Sequence, residues 1–360
     1  MLALVVTLTL LLVTVIITAY FERKVAAWMQ DRVGPELAGP YGTLQPVADV
    51  LKLLQKEFIL PAAADPWLFR LAPVVVFSAV LAGFAVLPLA PGVQPSAAPT
   101  GVFYLLAIIS LDVVGLLLAG FSSANKFALL GALRAVAQIV SYEIPIGLAV
   151  LAVALLGGSL DLQTLSLQQG VLSPETTWLF GVKALGVDVT GIGGVLSWNV
   201  VRMPVLGVGF VIYYIASLAE CNRAPFDLPE AESELVAGIY TEYAGFRYAA
   251  LFLAEYAMMV LVCVVASVLF LGSWNTPLPN IGPARLADWT TGAPGTVAGI
   301  LWGLLWLGLK VLVLLFGQLW ARWTYPRLRV DQLLRLCWQW LTPAGLALVV
   351  VVALWKIALG

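Results

Sequence analysis

Residues 218–243, LAECNRAPFDLPEAESELVAGIYTEY, decide how the chain is read. Glu220, Asp227, Glu230, Glu232, Glu234 and Glu242 all lie in it, six of the chain's 20 carboxylates. Only Arg223 opposes them locally. The same stretch carries Pro225, Phe226, Leu228, Pro229, Leu235 and Val236, so it is apolar enough to pack. Asp227 and Glu230 have capping-box spacing, and Pro229 suits a first helical turn. The spacing predicts a short helix from about Leu228 to Ile239. Asp227, Glu230 and Glu234 would share one face of it, where like charges repel. Two readings stand side by side: an acidic helix N-terminus favoured by the helix dipole, or a structured acidic element with a chemical task.

Apolar segments flank this stretch on both sides. The chain has 360 residues, of which 61% are hydrophobic and 11% charged, and its formal net charge is −1. With a mean hydropathy of +0.98, this is the composition of a polytopic membrane protein. There is no His, which excludes His-ligated haem and imidazole metal sites. Cys221, Cys263 and Cys337 stand alone, so zinc and iron–sulfur readings fail and no metal is expected. No GxGxxG opens a helix and no P-loop occurs. A redox cofactor for any reaction served here is therefore expected on another chain. Nothing points to nucleic acid.

Spanning segments are expected at about 1–21, 67–90, 100–121, 137–157, 203–220, 247–272, 299–321 and 340–358. The first has no basic residue before it, so it reads as an uncleaved helix rather than a signal peptide. Residues 44–58 place Leu44, Val47, Ala48, Leu51 and Phe58 on one stripe, with Gln45, Asp49, Lys52 and Lys56 on another. That is an amphipathic helix lying in the membrane interface. Eight spans put fourteen of the 19 basic residues on one side, which the positive-inside rule makes cytoplasmic. Both termini then lie outside. The apolar segment Trp178–Trp198 contains Lys183, Asp188 and several glycines, and reads as an external loop. Counting it as a span would invert every later loop. The expected fold is all-α, a single membrane domain over 1–360, with an acidic loop at 221–246 between the fifth and sixth spans.

Charges inside the spans are costly, and by default they mark ion or proton paths. Asp112 lies ~13 Å from the cytoplasmic end of its helix and Glu255 ~12 Å along its own, by helical rise. Glu143 is shallower, just before Pro145, and Glu220 closes the fifth span. These four acids read as a proton relay. Lys310, near mid-span, reads either as part of that path or as the neutralising partner of one acid. The Arg322–Arg335 cluster reads first as a positive-inside anchor and second as a docking site for a partner subunit.

Five blocks, FERKVAAWMQDRVGPE (21–36), LQPVADVLKLLQKE (44–57), KFALLGALRAVAQIVSYE (126–143), AECNRAPFDLPEAESELVAGIYTEYAGFRYAALFLAEY (219–256) and RWTYPRLRVDQLLR (322–335), carry a resemblance. The chain resembles the quinone-site membrane subunit of proton-pumping NADH:quinone oxidoreductase, respiratory complex I. The likeness covers nearly the whole chain, and the blocks occur in the family's order. It implies that Glu22, Arg23, Arg32, Asp49, Lys52, Arg223, Phe226, Asp227, Glu230, Glu232 and Glu234 wall the membrane side of a quinone chamber. It also implies that Glu143, Glu220 and Glu255 begin the proton path, with Asp112 where many relatives have Glu. The substrate would be ubiquinone or menaquinone. Iron–sulfur clusters and flavin would sit on partner subunits, and basic loops would dock the peripheral arm. The expected location is the bacterial inner membrane, with a thylakoid-type membrane as the alternative.

Three departures stand out. Glu36 replaces a common Asn, and GPELAGP resembles the ferredoxin-linked cyanobacterial and plastid branch. The 170–200 loop is long for the family, and the chain starts directly on its first span. The competing readings are the equivalent anchor of a ferredoxin-linked complex or membrane-bound hydrogenase, and a stand-alone proton-coupled transporter. No internal repeat supports the transporter.

Overall fold

The computed structural model describes residues 2–183, 186–229, 232–281 and 285–359. The first helices are α1 (Leu2–Met29), α2 (Gln45–Gln55), α3 (Pro66–Gly83), α4 (Gly101–Ile109), α5 (Leu111–Ser122) and α6 (Lys126–Gly157). Next come α7 (Leu162–Leu167), α8 (Asn199–Arg202), α9 (Val205–Glu220), α10 (Glu232–Leu235) and α11 (Gly245–Phe270). The last are α12 (Leu286–Thr291), α13 (Val297–Thr324), α14 (Val330–Arg335) and α15 (Thr342–Leu359). Among the described residues, the only strand pairing is two isolated bridges, so the fold is all-α.

Among the described residues, six helical segments are long and apolar enough to cross a membrane: 66–86, 101–122, 126–157, 245–270, 297–324 and 330–358. The 16-residue α9 is apolar but shorter, and α1 runs 28 residues. α11 is the axis of the bundle. Every residue from Tyr256 to Phe270 is buried, as expected of a helix apolar all round and enclosed by others. α1, α3, α9 and α13 pack on it, and α5, α6 and α15 extend the bundle from α3 and α9. Small residues permit close approach. A Cβ on Gly115 would meet Val76 at 2.5 Å, and one on Gly120 would meet Ala132 at 2.3 Å, the small-residue packing typical of membrane helices.

Several boundaries differ from the sequence expectation, for identifiable reasons. α1 does not stop at Phe21 but continues through Glu22, Arg23 and Lys24 to Met29. Glu22 and Arg23 both find opposite charges there, and no helix breaker occurs before Gly34 and Pro35. α6 starts at Lys126, not near 137, because the Asn125 side chain caps it by accepting from Phe127 N–H at 2.9 Å. Inside α6, Pro145 has no N–H to give the Ser141 carbonyl. The Cys337 thiol donates to that carbonyl instead, at 3.0 Å. Cys337 lies in a π-helical turn, Leu336–Leu341, that joins α14 to α15 in one continuous last span.

Among the described residues, the helix expected over 228–239 is confined to a single turn. α10 is one turn long, and a 3₁₀ turn follows at Gly238–Tyr240. Val236 (φ 65°) and Gly238 (φ 50°) take the left-handed conformation, which ends a helix. The amphipathic helix appears as α2, with Val47, Val50, Leu51 and Leu54 exposed on its surface. Among the described residues of 178–198 there is no long helix, only short turns and a Trp178–Asp188 bridge.

Candidate functional site

The end of the bundle that carries the acidic loop holds a buried ion network. Arg223 stands just beyond α9 and is 4% exposed. Its guanidinium pairs with Glu22 of α1 at 3.2 Å and with Glu255 of α11 at 2.6 Å. It also lies 4.5 Å from the ring centre of Tyr256. Glu22 in turn accepts from the Tyr256 hydroxyl at 2.5 Å and from Arg322 of α13. Burial acts against the charge on Arg223. Glu255, Glu22 and Tyr256 outweigh it and hold the guanidinium well above its ordinary range. Three long helices and the acidic loop therefore meet at one charged knot.

Two cavities open on either side of the knot. The larger, of about 450 Å³, lies between α1, α2, α3 and α11. That is the size of a small-ligand pocket. Its walls are largely apolar, from α3 residues such as Val74 and Phe77 and α11 residues such as Phe252 and Leu253. Arg23, Asp49, Arg70 and Arg247 also line it, and so does Tyr256. Arg23 pairs with Asp49 at 2.6 Å. Arg247 lies 3.4 Å over the Phe58 ring.

The smaller cavity, of about 20 Å³, is roomy enough for a single water. Asp112, Glu220 and Glu255 all line it. Glu143 and Asp112 lie close enough to Glu220 to repel its charge, and Ser110 lies beside Glu143. Ser110 occupies the break between α4 and α5. One carboxylate oxygen on each of Asp112, Glu143 and Glu220 is buried without a hydrogen-bond partner among the described residues. Such atoms call for a proton, a water or both. The four acids expected to form a relay are thus brought together, and Glu255 joins them to the knot.

The expected chamber residues separate into groups. Arg23 and Asp49 line the large cavity, and Glu22 and Arg223 form the knot beside it. Lys52 is exposed and reaches Asp49 only at 4.0 Å. Arg32 bonds Gln30 at 2.7 Å and stays outside the cavity lining. Phe226 is 2% exposed and packs edge-on against Tyr142 at 5.5 Å, a core position. Asp227 pairs with Arg327 at 2.8 Å, and Glu234 pairs with Arg134 at 2.5 Å. Glu230 lies outside the described residues, as does the side chain of Glu232.

Sequence reasoning missed three partners. Arg322 and Arg327 were assigned to anchoring or docking, yet each is paired with an acid of this chain. Tyr256, adjacent to Glu255, links the large cavity to Glu22. Lys310 pairs with no acid among the described residues: its ammonium donates to the carbonyls of Ser273 (2.8 Å) and Asn275 (2.6 Å) and lies 4.4 Å from the Trp198 ring centre.

This architecture has relatives. A family model described as NADH dehydrogenase matches residues 2–353. The second NADH-quinone oxidoreductase H subunit of Cytophaga hutchinsonii is 57% identical over 354 residues, 97% of each chain. The chain belongs to the family of NADH-quinone oxidoreductase H subunits. Two further H subunits, from Chlorobium luteolum and Chlorobaculum parvum, are each 47% identical over 338 residues. Those alignments cover 94% of this chain and 84% and 87% of theirs. As an H subunit, the chain is a membrane component of complex I, a proton-translocating NADH-quinone oxidoreductase with quinone as its substrate. It works alongside the other subunits of that complex, and members of this family carry no redox cofactor of their own.

Proposed function

We propose that the 450 Å³ cavity admits the tail of a membrane quinone, of ubiquinone or menaquinone type, and that the Arg223 knot transmits reduction to the buried acids. The observation that carries this is the shared membership of Tyr256 and Glu255. Tyr256 lines the apolar cavity and bonds Glu22, while its neighbour Glu255 pairs with Arg223 and lines the acid-bounded cavity.

The mechanism follows from electrostatics in a low dielectric. Quinone reduction takes up protons as it takes up electrons. A change of charge near the headgroup shifts the balance of Glu22 and Glu255 around Arg223. Glu220 and Asp112 share a cavity with Glu255, so a proton on any one of them changes the cost of charging the other two. Glu143 extends the series toward partner subunits. Arg23, Arg70 and Arg247 at the cavity's rim steer the polar headgroup, and the apolar wall holds the tail. The iron–sulfur and flavin chemistry belongs to partner subunits.

The chain forms one membrane domain of eight spans in the bacterial inner membrane, with α1 and α9 completing the count and both termini outside. The acidic loop and the segments around Arg32, Lys52 and Glu234 then face the peripheral arm. Glu220→Gln in the assembled complex tests the relay. Turnover and protons moved per electron should both fall. A normal proton-to-electron ratio would show that these acids only stabilise the fold.

A further inference from the structure

At the end of the bundle away from the acidic loop, the structure has a second large cavity, of about 780 Å³. It lies where the C-terminal end of α6 meets the last turns of α15, roofed by the irregular segment after α7. Its lining includes Lys183, Arg202 and Lys356, against one carboxylate, Glu175. Trp178 and Trp355 stand in the same wall.

We infer that this cleft binds the headgroup of an anionic phospholipid. Three features converge on that ligand. First, Arg202 and Lys356 bring N–H donors to the wall. Lys356 donates to the Leu155 carbonyl at 2.8 Å, which fixes its ammonium at the cleft's edge. The indole N–H of Trp355 is shielded from solvent and has no acceptor among the described residues. A phosphate oxygen supplies the acceptor that this wall lacks. Second, the cleft sits at the ends of spanning helices, the level at which Trp side chains straddle the membrane–water boundary. Third, the helix surface next to it is apolar and outward-facing. Leu155 is 36% exposed, Leu354 61% and Ile357 83%, so acyl chains have a surface to lie along. A soluble anion would use the cations but not the apolar surface. Burial disfavours the charge on Arg202 and Glu175 opposes that effect. A bound phosphate adds to Glu175 in the same sense.

The test uses the assembled complex in vesicles of phosphatidylcholine doped with photoactivatable phosphatidylglycerol. A phosphatidylcholine carrying the same photoactivatable group is the control. Phosphatidylglycerol should label peptides covering 174–183 and 355–356, well above the control. Lys356→Gln and Arg202→Gln should each lower labelling roughly fivefold, the effect of one interfacial charge, and Glu175→Gln should raise it. Lys356 is exposed, so its variant tests the cleft without disturbing the core. Equal labelling by both lipids, or unchanged labelling in Lys356→Gln, would overturn the inference. Displacement of the label by millimolar inorganic phosphate would also overturn it, because the cleft would then be a site for the free anion.

Discussion

Arg223 and Glu255 meet at 2.6 Å with both side chains out of water, the first on the acidic loop and the second inside a spanning helix. Removing one partner of a buried pair leaves an uncompensated charge and costs ~3–5 kcal/mol. Arg223→Ala should therefore lower the thermal stability of the complex and slow quinone reduction. Electron entry into the peripheral arm should persist. Adding Glu255→Gln should recover part of the stability, because the carboxylate that faced Arg223 is gone. A double-mutant cycle reads this coupling directly. Strict additivity would show that the pair does not act as a unit.

The apolar cavity gives a steric prediction. Ala250 lines it, and Ala250→Trp fills part of the space with an indole. KM for a long-tailed quinone should rise several-fold. A short-chain quinone should feel less of the change, because it needs less of the cavity. Equal effects on both quinones would place the substrate elsewhere.

Asp112 shares the small cavity with Glu220 and Glu255, whereas Glu143 stands outside that lining. Asp112→Asn should therefore impair proton translocation at least as much as Glu143→Gln. Proton-to-electron ratios of the two variants decide this. A mild Asp112→Asn would mean that the small cavity does not take part.

Lys310 offers a control. It is held by two backbone carbonyls. Lys310→Gln should reduce assembly by leaving those carbonyls short of donors. In whatever complex assembles, protons moved per electron should stay normal. A drop in that ratio would make Lys310 part of the path.

Topology can be tested separately. A reporter placed between α13 and α14, after Tyr325, should read cytoplasmic, and one at Gly360 should read external. A cytoplasmic reading at Gly360 would break the eight-span count.

The residue pattern already contained most of the architecture. Runs of apolar residues longer than a bilayer core leave few alternatives, and the all-α fold and the α2 stripe followed from them. The four acids in the spans were also visible, because a carboxylate in an apolar run is conspicuous. Their mutual proximity was not visible. Asp112, Glu220 and Glu255 lie on three helices, and only packing decides which faces meet. The extension of α1 was hidden for the same reason: Glu22 tolerates burial through Arg223 and Arg322, which are far away in sequence. The acidic helix was misread because spacing cannot reveal that Val236 adopts a left-handed conformation. Phe226 was assigned to a chamber wall, but an aromatic residue in a loop is as readily a core residue as a lining one, and it packs on Tyr142.

Tyr256 bonds Glu22 through its hydroxyl while its ring forms part of the apolar cavity wall and lies against Arg223. A compound that competes for that cavity presses on the same ring. Variants selected for resistance by reshaping this wall should therefore pay in bioenergetic yield, growing less per substrate oxidised even without the compound. Resistance changes confined to the α2 side of the cavity, around Leu53 and Leu54, should escape that penalty.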